Sequence, residues 1–163
     1  MREQAPTLFR SREHSSVREN VMPTREELAT WAKNYVELWN AGEKEAWIEN
    51  WKKLCFGDFK MYDPVGTPPK FGFNGCCVEP FDLFQPSMSF YVDPSTKFIC
   101  GNEVAWVMVN IFRKDGEEQH LKSIETYRFG EDGSCEIRTH YDVPPADDPI
   151  SGHLFAKYLP DNT

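Results

Sequence analysis

From residue 88 onward, short strand-forming runs alternate with turn signals, and this pattern constrains the fold more than any other feature. Strand-like residues occupy 88–92, 97–100, 103–113, 119–129 and 135–143. Between them stand Asp93-Pro94-Ser95, Gly101-Asn102, Lys114-Asp115-Gly116 and Glu131-Asp132-Gly133. Asp-Gly between alternating runs is a hairpin signal, so the region predicts an antiparallel meander. Such a sheet needs a cover, and the material for it comes first in the chain. Thr24 can cap a helix while Glu27 closes a capping box; Leu28, Trp31, Tyr35 and Leu38 then recur at helical spacing until Gly42 stops it. A second helix is predicted at 43–54, with Trp47, Ile48, Trp51 and Leu54 on its apolar side. Helices followed by a meander imply an α+β fold: a curled antiparallel sheet forming a cone over N-terminal helices, with a hydrophobic pocket at its mouth.

The remaining segments complete one domain. A chain of 163 residues can bury a core without disulfide or metal support. Residues 23–143 form the predicted domain, after a flexible lead-in at 1–22 and before a Pro- and Asp-rich tail at 144–163, expected to run over the surface. Within the domain, Phe59, Met61 and Asp63 share one face of a short strand; 64–75 reads as a loop, and 76–86 as a short, Pro-limited helix. A net charge of −8 argues against a nucleic-acid or anionic-membrane partner, because phosphate binding needs a basic footprint. No apolar run reaches the ~18–20 residues of a membrane span. The first twenty residues lack the apolar segment of a secretory signal, so the expected location is cytoplasmic. Five cysteines without a C-x-x-C pair, and four scattered histidines, predict reduced structural thiols and no metal site.

Three polar residues fall on faces that otherwise look buried. Tyr35 lies in the apolar stripe of the first helix, where a core tyrosine is the simpler reading. Asp63 points where Phe59 and Met61 point, although an aspartate before Pro64 can also serve a turn. Glu125 alternates with Leu121, Ser123, Tyr127 and Phe129, and no cation shares that face. Two inward carboxyls and an inward phenol make a candidate site. Trp106, Met108, Phe112 and Tyr127 are candidates for its apolar lining, although both faces of 103–113 are apolar. That double apolarity also predicts a homodimer through the sheet. His140 has two readings. Alternation sets it outward with Glu136 and Arg138, whereas ungapped continuation from Phe129 places it among the pocket's binding residues.

The segments Asn34-Tyr35-Val36-Glu37-Leu38-Trp39-Asn40-Ala41-Gly42 and Tyr62-Asp63-Pro64-Val65-Gly66-Thr67, with the stretch from Gly101 to Phe129, resemble bacterial ketosteroid isomerases. These belong to the superfamily named after nuclear transport factor two, which also holds SnoaL-like polyketide cyclases and scytalone dehydratase. The resemblance covers about 27–142. It implies proton transfer on a hydrophobic, steroid-like unsaturated ketone: Asp63 as the base, Tyr35 and Glu125 as oxyanion donors, and no cofactor. Glu125 would be a carboxylic acid kept neutral by an apolar site. This chain departs from the pattern: Glu125 is one methylene longer, 68–74 is inserted, Leu83 and Phe84 stand near the place of a supporting tyrosine, and the extended N-terminus and Pro-rich tail lie outside it. Alternatives are a dehydratase, cyclase or hydrolase of the same fold, with His140 inside, or a non-catalytic binding module.

Overall fold

The computed structural model describes residues 21–160, so the predicted lead-in lies outside the described residues except for Val21 and Met22. Helix α1 spans Arg25–Ala41 and begins on the predicted capping box: the Glu27 amide donates to Thr24 Oγ1 at 3.2 Å and the Thr24 amide to Glu27 Oε2 at 2.8 Å. Gly42 ends it in the left-handed conformation, its amide donating to the carbonyls of Leu38 and Trp39. Helix α2 follows at Lys44–Lys52. The strands are β1 (Phe59–Tyr62), β2 (Lys70–Phe71), β3 (Met88–Cys100), β4 (Glu103–Lys114), β5 (Glu117–Phe129) and β6 (Cys135–His140). The segment between β2 and β3 is helical, with a π turn at Asn74–Val78, α3 at Glu79–Phe84 and a 3-10 turn at Gln85–Ser87.

One six-stranded sheet runs β2-β1-β6-β5-β4-β3. The antiparallel expectation holds for β3 to β6, but β1 lies parallel to β6, so the sheet is mixed. Asp115 and Gly116 both take positive φ in the β4–β5 hairpin, as a tight primed turn requires. Asp93-Pro94-Ser95 does not reverse the chain. Asp93 Oδ1 instead accepts from the Ser95 amide and hydroxyl, and the irregularity shifts the pairing of β3 with β4 between Val92 and Lys97.

The helices pack an aromatic core against the inner sheet face. Trp31 meets Trp51 and Phe129 edge-on at 4.8 and 5.0 Å, and Trp39 stacks on Phe90 at 4.4 Å. Asn40 covers the free edge of β3, donating to the Phe90 carbonyl and accepting from the Phe90 amide. The alternation of β4 is resolved by burial: Val104, Trp106, Met108, Asn110 and Phe112 face inward.

The tail differs from expectation. Residues 144–160 fold back onto the cone, and helix α4 (Gly152–Tyr158) buries Leu154 and Phe155 against it. Phe155 packs on Phe84 and Phe112 at 5.4 and 5.6 Å. Asp148 Oδ1 accepts from the amides of Ile150 and Ser151, and Gln119 of β5 bonds both Asp148 and the Ser151 hydroxyl. A Cβ at position 152 would stand 2.6 Å from the carbonyl oxygens of Pro145 and Ala146, so this close return needs glycine.

Candidate active site

The cone encloses a cavity of about 90 Å³, and with its open mouth the empty space is about 690 Å³. Tyr35, Asp63, Glu125, Phe112 and Tyr127 all line it. Trp106 and Met108 do not. Both are inward and fully buried, but they belong to the layer behind the cavity wall. His140 is exposed on the opposite sheet face, near the Ile124 carbonyl, and is no pocket residue; simple alternation along β6 gives the correct parity.

Glu125 sits on β5 with 6% of its surface exposed. Register brings Trp106 of β4 directly opposite, and its indole donates to Oε2 at 3.0 Å. Ser123 Oγ donates to Oε1 at 2.6 Å and the Tyr127 hydroxyl to Oε2 at 2.5 Å, while Asn110 Nδ2 supports Ser123 at 3.0 Å. Burial raises the pKa of the Glu125 carboxyl, although the three donors pull it back and the charge of Asp63 adds to the rise. Both oxygens are therefore engaged before any ligand arrives. The Tyr127 ring in turn lies edge-on to that of Tyr35, with centroids 5.7 Å apart. Tyr35 is itself held among rings, stacked on Phe90 at 5.7 Å and edge-on to Trp51 at 5.7 Å. Burial, and then the Glu125 charge, push the Tyr35 phenol well up, so it remains a protonated donor at neutral pH.

Asp63 directly follows β1 at the cis Asp63-Pro64 bond, and the Val65 amide pins the following loop to the Thr139 carbonyl of β6 at 2.8 Å. Its carboxylate is held from two sides: Thr139 Oγ1 donates to Oδ1 at 2.5 Å and the Tyr158 hydroxyl of α4 to Oδ2 at 2.6 Å. Tyr141 also lines the cavity, and burial, then the Asp63 charge, push its phenol pKa up. Sequence reasoning missed these three groups. Thr139 and Tyr141 lie on the residue parity that the apolar face of β6 marks. Tyr158 stands at helical spacing from Leu154 and Phe155, a pattern masked by the preceding prolines and aspartates.

Chemically, the cavity has two polar poles in an apolar wall. One is a carboxylate with hydroxyl donors and spare lone pairs; the other is a phenol backed by a phenol and a buried carboxyl. A reacting molecule between them can lose a proton to the first while negative charge develops at the second. Cys76 and Cys77 also line the wall; burial lifts the Cys76 thiol to about 11, so it is no nucleophile at neutral pH. Among the described residues, no three His, Cys, Asp or Glu side chains come together as a metal site, and no helix is long and apolar enough to cross a membrane.

No protein-family model and no curated protein matches this chain. Solved structures do. A protein from Jannaschia sp. CCS1 described as a SnoaL-like polyketide cyclase superposes with a TM-score of 0.58 at 14% identity, over 76% of this chain and 96% of its own. SalBIII, described as an epoxide hydrolase/cyclase-like enzyme in pyran ring formation of the polyether salinomycin, gives 0.58 at 13% identity over 72% and 92%. A Mycobacterium tuberculosis protein solved with estradiol-17beta-hemisuccinate gives 0.56 at 18% identity over 72% and 95%. The mixed, curled sheet over helices agrees with these structures, and the chain shares their α+β cone fold.

Proposed function

We propose that the cavity carries out cofactor-independent proton transfer on a small hydrophobic carbonyl compound, with isomerisation of an unsaturated ketone as its simplest form. The observation that carries this reading is that Asp63, Tyr35 and the hydrogen-bonded Tyr127–Glu125 pair line one apolar cavity. Asp63 takes an acidic proton alpha to the carbonyl and returns it to the conjugated position. Tyr35 donates to the developing oxyanion. Glu125 acts through Tyr127: when protonated it frees the Tyr127 hydroxyl to donate into the cavity beside Tyr35, whereas an ionised Glu125 accepts from it. This modifies the direct oxyanion donor implied by the family resemblance, because both Glu125 oxygens already have partners.

A panel of β,γ-unsaturated ketones, followed by the absorbance of the conjugated product, tests the reading. Turnover of at least one member and tight binding of phenols are expected; no turnover and no phenol binding would reject it. The cyclase-like descriptions of two structural neighbours favour a second reading, in which Asp63 deprotonates a substrate hydroxyl that then closes a ring.

A homodimer through the outer sheet face belongs to the same proposal. Tyr91, Phe98 and Ile124 are 54%, 59% and 57% exposed there, beside the half-buried Val107, Val109 and Ile111. Monomers rarely leave such a patch open to water. Light scattering at micromolar concentration is expected to give twice the chain mass, and a monomer mass would count against the dimer.

A further inference from the structure

We propose that Tyr158, delivered by the C-terminal helix α4, is a positioning residue that fixes the carboxylate of Asp63 toward the cavity. The inference rests on the proton-transfer reading and adds to it a residue outside the part of the chain that resembles the isomerases. An aspartate carboxylate turns easily about its last torsion, so a base with one partner is free to swing. Here two elements hold it: Thr139 of β6 on Oδ1 and Tyr158 of α4 on Oδ2. Each oxygen keeps a second lone pair, so both hydroxyls can stay bonded while Asp63 accepts a proton.

The phenol is itself held in place. Its ring meets Phe84 edge-on at 4.9 Å, and the Lys70 ammonium lies over its face, 4.0 Å from the centroid. Lys70 belongs to β2, inside the 68–74 insertion, so two additions to the family pattern meet at the base. The Asp148–Gln119–Ser151 bonds and the close return at Gly152 fix the start of α4. Burial and the Asp63 charge keep the Tyr158 phenol protonated, hence a donor.

The simpler alternative is a tether, in which the hydroxyl only holds α4 down. The two roles separate kinetically. Wild type, Asp63→Asn, Tyr158→Phe and the exposed α4 control Lys157→Ala are compared on a β,γ-unsaturated cyclohexenone, together with α-proton exchange in D2O and the melting midpoint. Tyr158→Phe keeps the ring, its Phe84 contact and its place under Lys70, and loses only the hydroxyl. We expect kcat to fall roughly tenfold with KM unchanged, and Lys157→Ala to match wild type. A carboxylate that loses a donor becomes more basic, which alone would speed proton abstraction, so a fall in kcat reports orientation. A lowered melting midpoint with unchanged kcat would identify a tether and overturn the proposal, as would a rise in kcat. If Tyr158→Phe does not fold, Lys70→Met loosens the ring without touching the hydroxyl. It should lower kcat by a smaller factor at constant KM, and no change there overturns the role. Absence of Asp63-dependent exchange in wild type would instead remove the parent reading, and the positioning role with it.

Discussion

Asp63→Asn is expected to slow conversion of a reactive unsaturated ketone by roughly 10²–10⁴, the usual cost of removing a general base. The fold should survive, because the amide is nearly isosteric and finds partners where the carboxylate did. Its oxygen can still accept from Thr139, and its amino group can donate to the Tyr158 oxygen, which accepts as well as donates. Loss of turnover at an unchanged melting midpoint is therefore the expected pair of results. Turnover near wild type would remove Asp63 from the chemistry and leave it as a residue that ties β1 to β6 and α4.

Glu125 carries the second large effect, on stability. Glu125→Ala leaves the Trp106 indole and the Ser123 and Tyr127 hydroxyls without their acceptor in a buried site. Each orphaned donor costs about 1–3 kcal/mol, less what repacking or water recovers, so a net loss of roughly 2–4 kcal/mol is expected. Glu125→Gln behaves differently. An amide oxygen at Oε2 still accepts from Trp106 and Tyr127, and its NH₂ can donate to Ser123 Oγ. Because the folded pKa of Glu125 is raised, the carboxyl stabilises the fold fully below its unfolded value of about 4.3, and that contribution is lost as pH climbs through the folded value. The glutamine variant lacks this loss. Urea unfolding at several pH values should show Glu125→Gln gaining on wild type as pH rises from acid to neutral, with Ala below both. A gap between Gln and wild type that does not change with pH would mean that Glu125 is ionised in the folded state at no cost. Phenol binding should follow the same order of variants, with Gln weakened less than Ala.

The parts of this architecture that local chemistry encodes were legible in the sequence. The Thr24–Glu27 box, the Gly42 stop and the Asp115-Gly116 hairpin each need only neighbouring residues, and all three are present. Alternation turns Glu125 inward, and of the two readings of His140 it is the alternating one, outward, that the structure has, while the ungapped continuation into the pocket does not hold. Alternation failed on β4, where Val107, Val109 and Ile111 make the outer face as apolar as the inner one; the Trp106 and Met108 assignments had the right face and the wrong layer. The parallel pairing of β1 with β6 leaves no local signature, since its partners lie far apart in the chain. Helix α4 was hidden by its surroundings: only seven residues, opened by glycine and preceded by prolines and aspartates. Missing it meant missing Tyr158, and so half of what holds Asp63.

Proton transfer at Asp63 is most directly tested by exchange at carbon. Wild-type protein and Asp63→Asn are incubated in D2O with a β,γ-unsaturated cyclohexenone, and loss of the α-proton signal is followed by NMR. Proton abstraction at Asp63 predicts fast exchange with wild type, suppressed to the background rate in Asp63→Asn and by a phenol that fills the cavity. Background exchange with wild type, or equal exchange with both proteins, would contradict carbon-acid chemistry at this site and leave hydroxyl deprotonation or ligand binding as the use of the cavity.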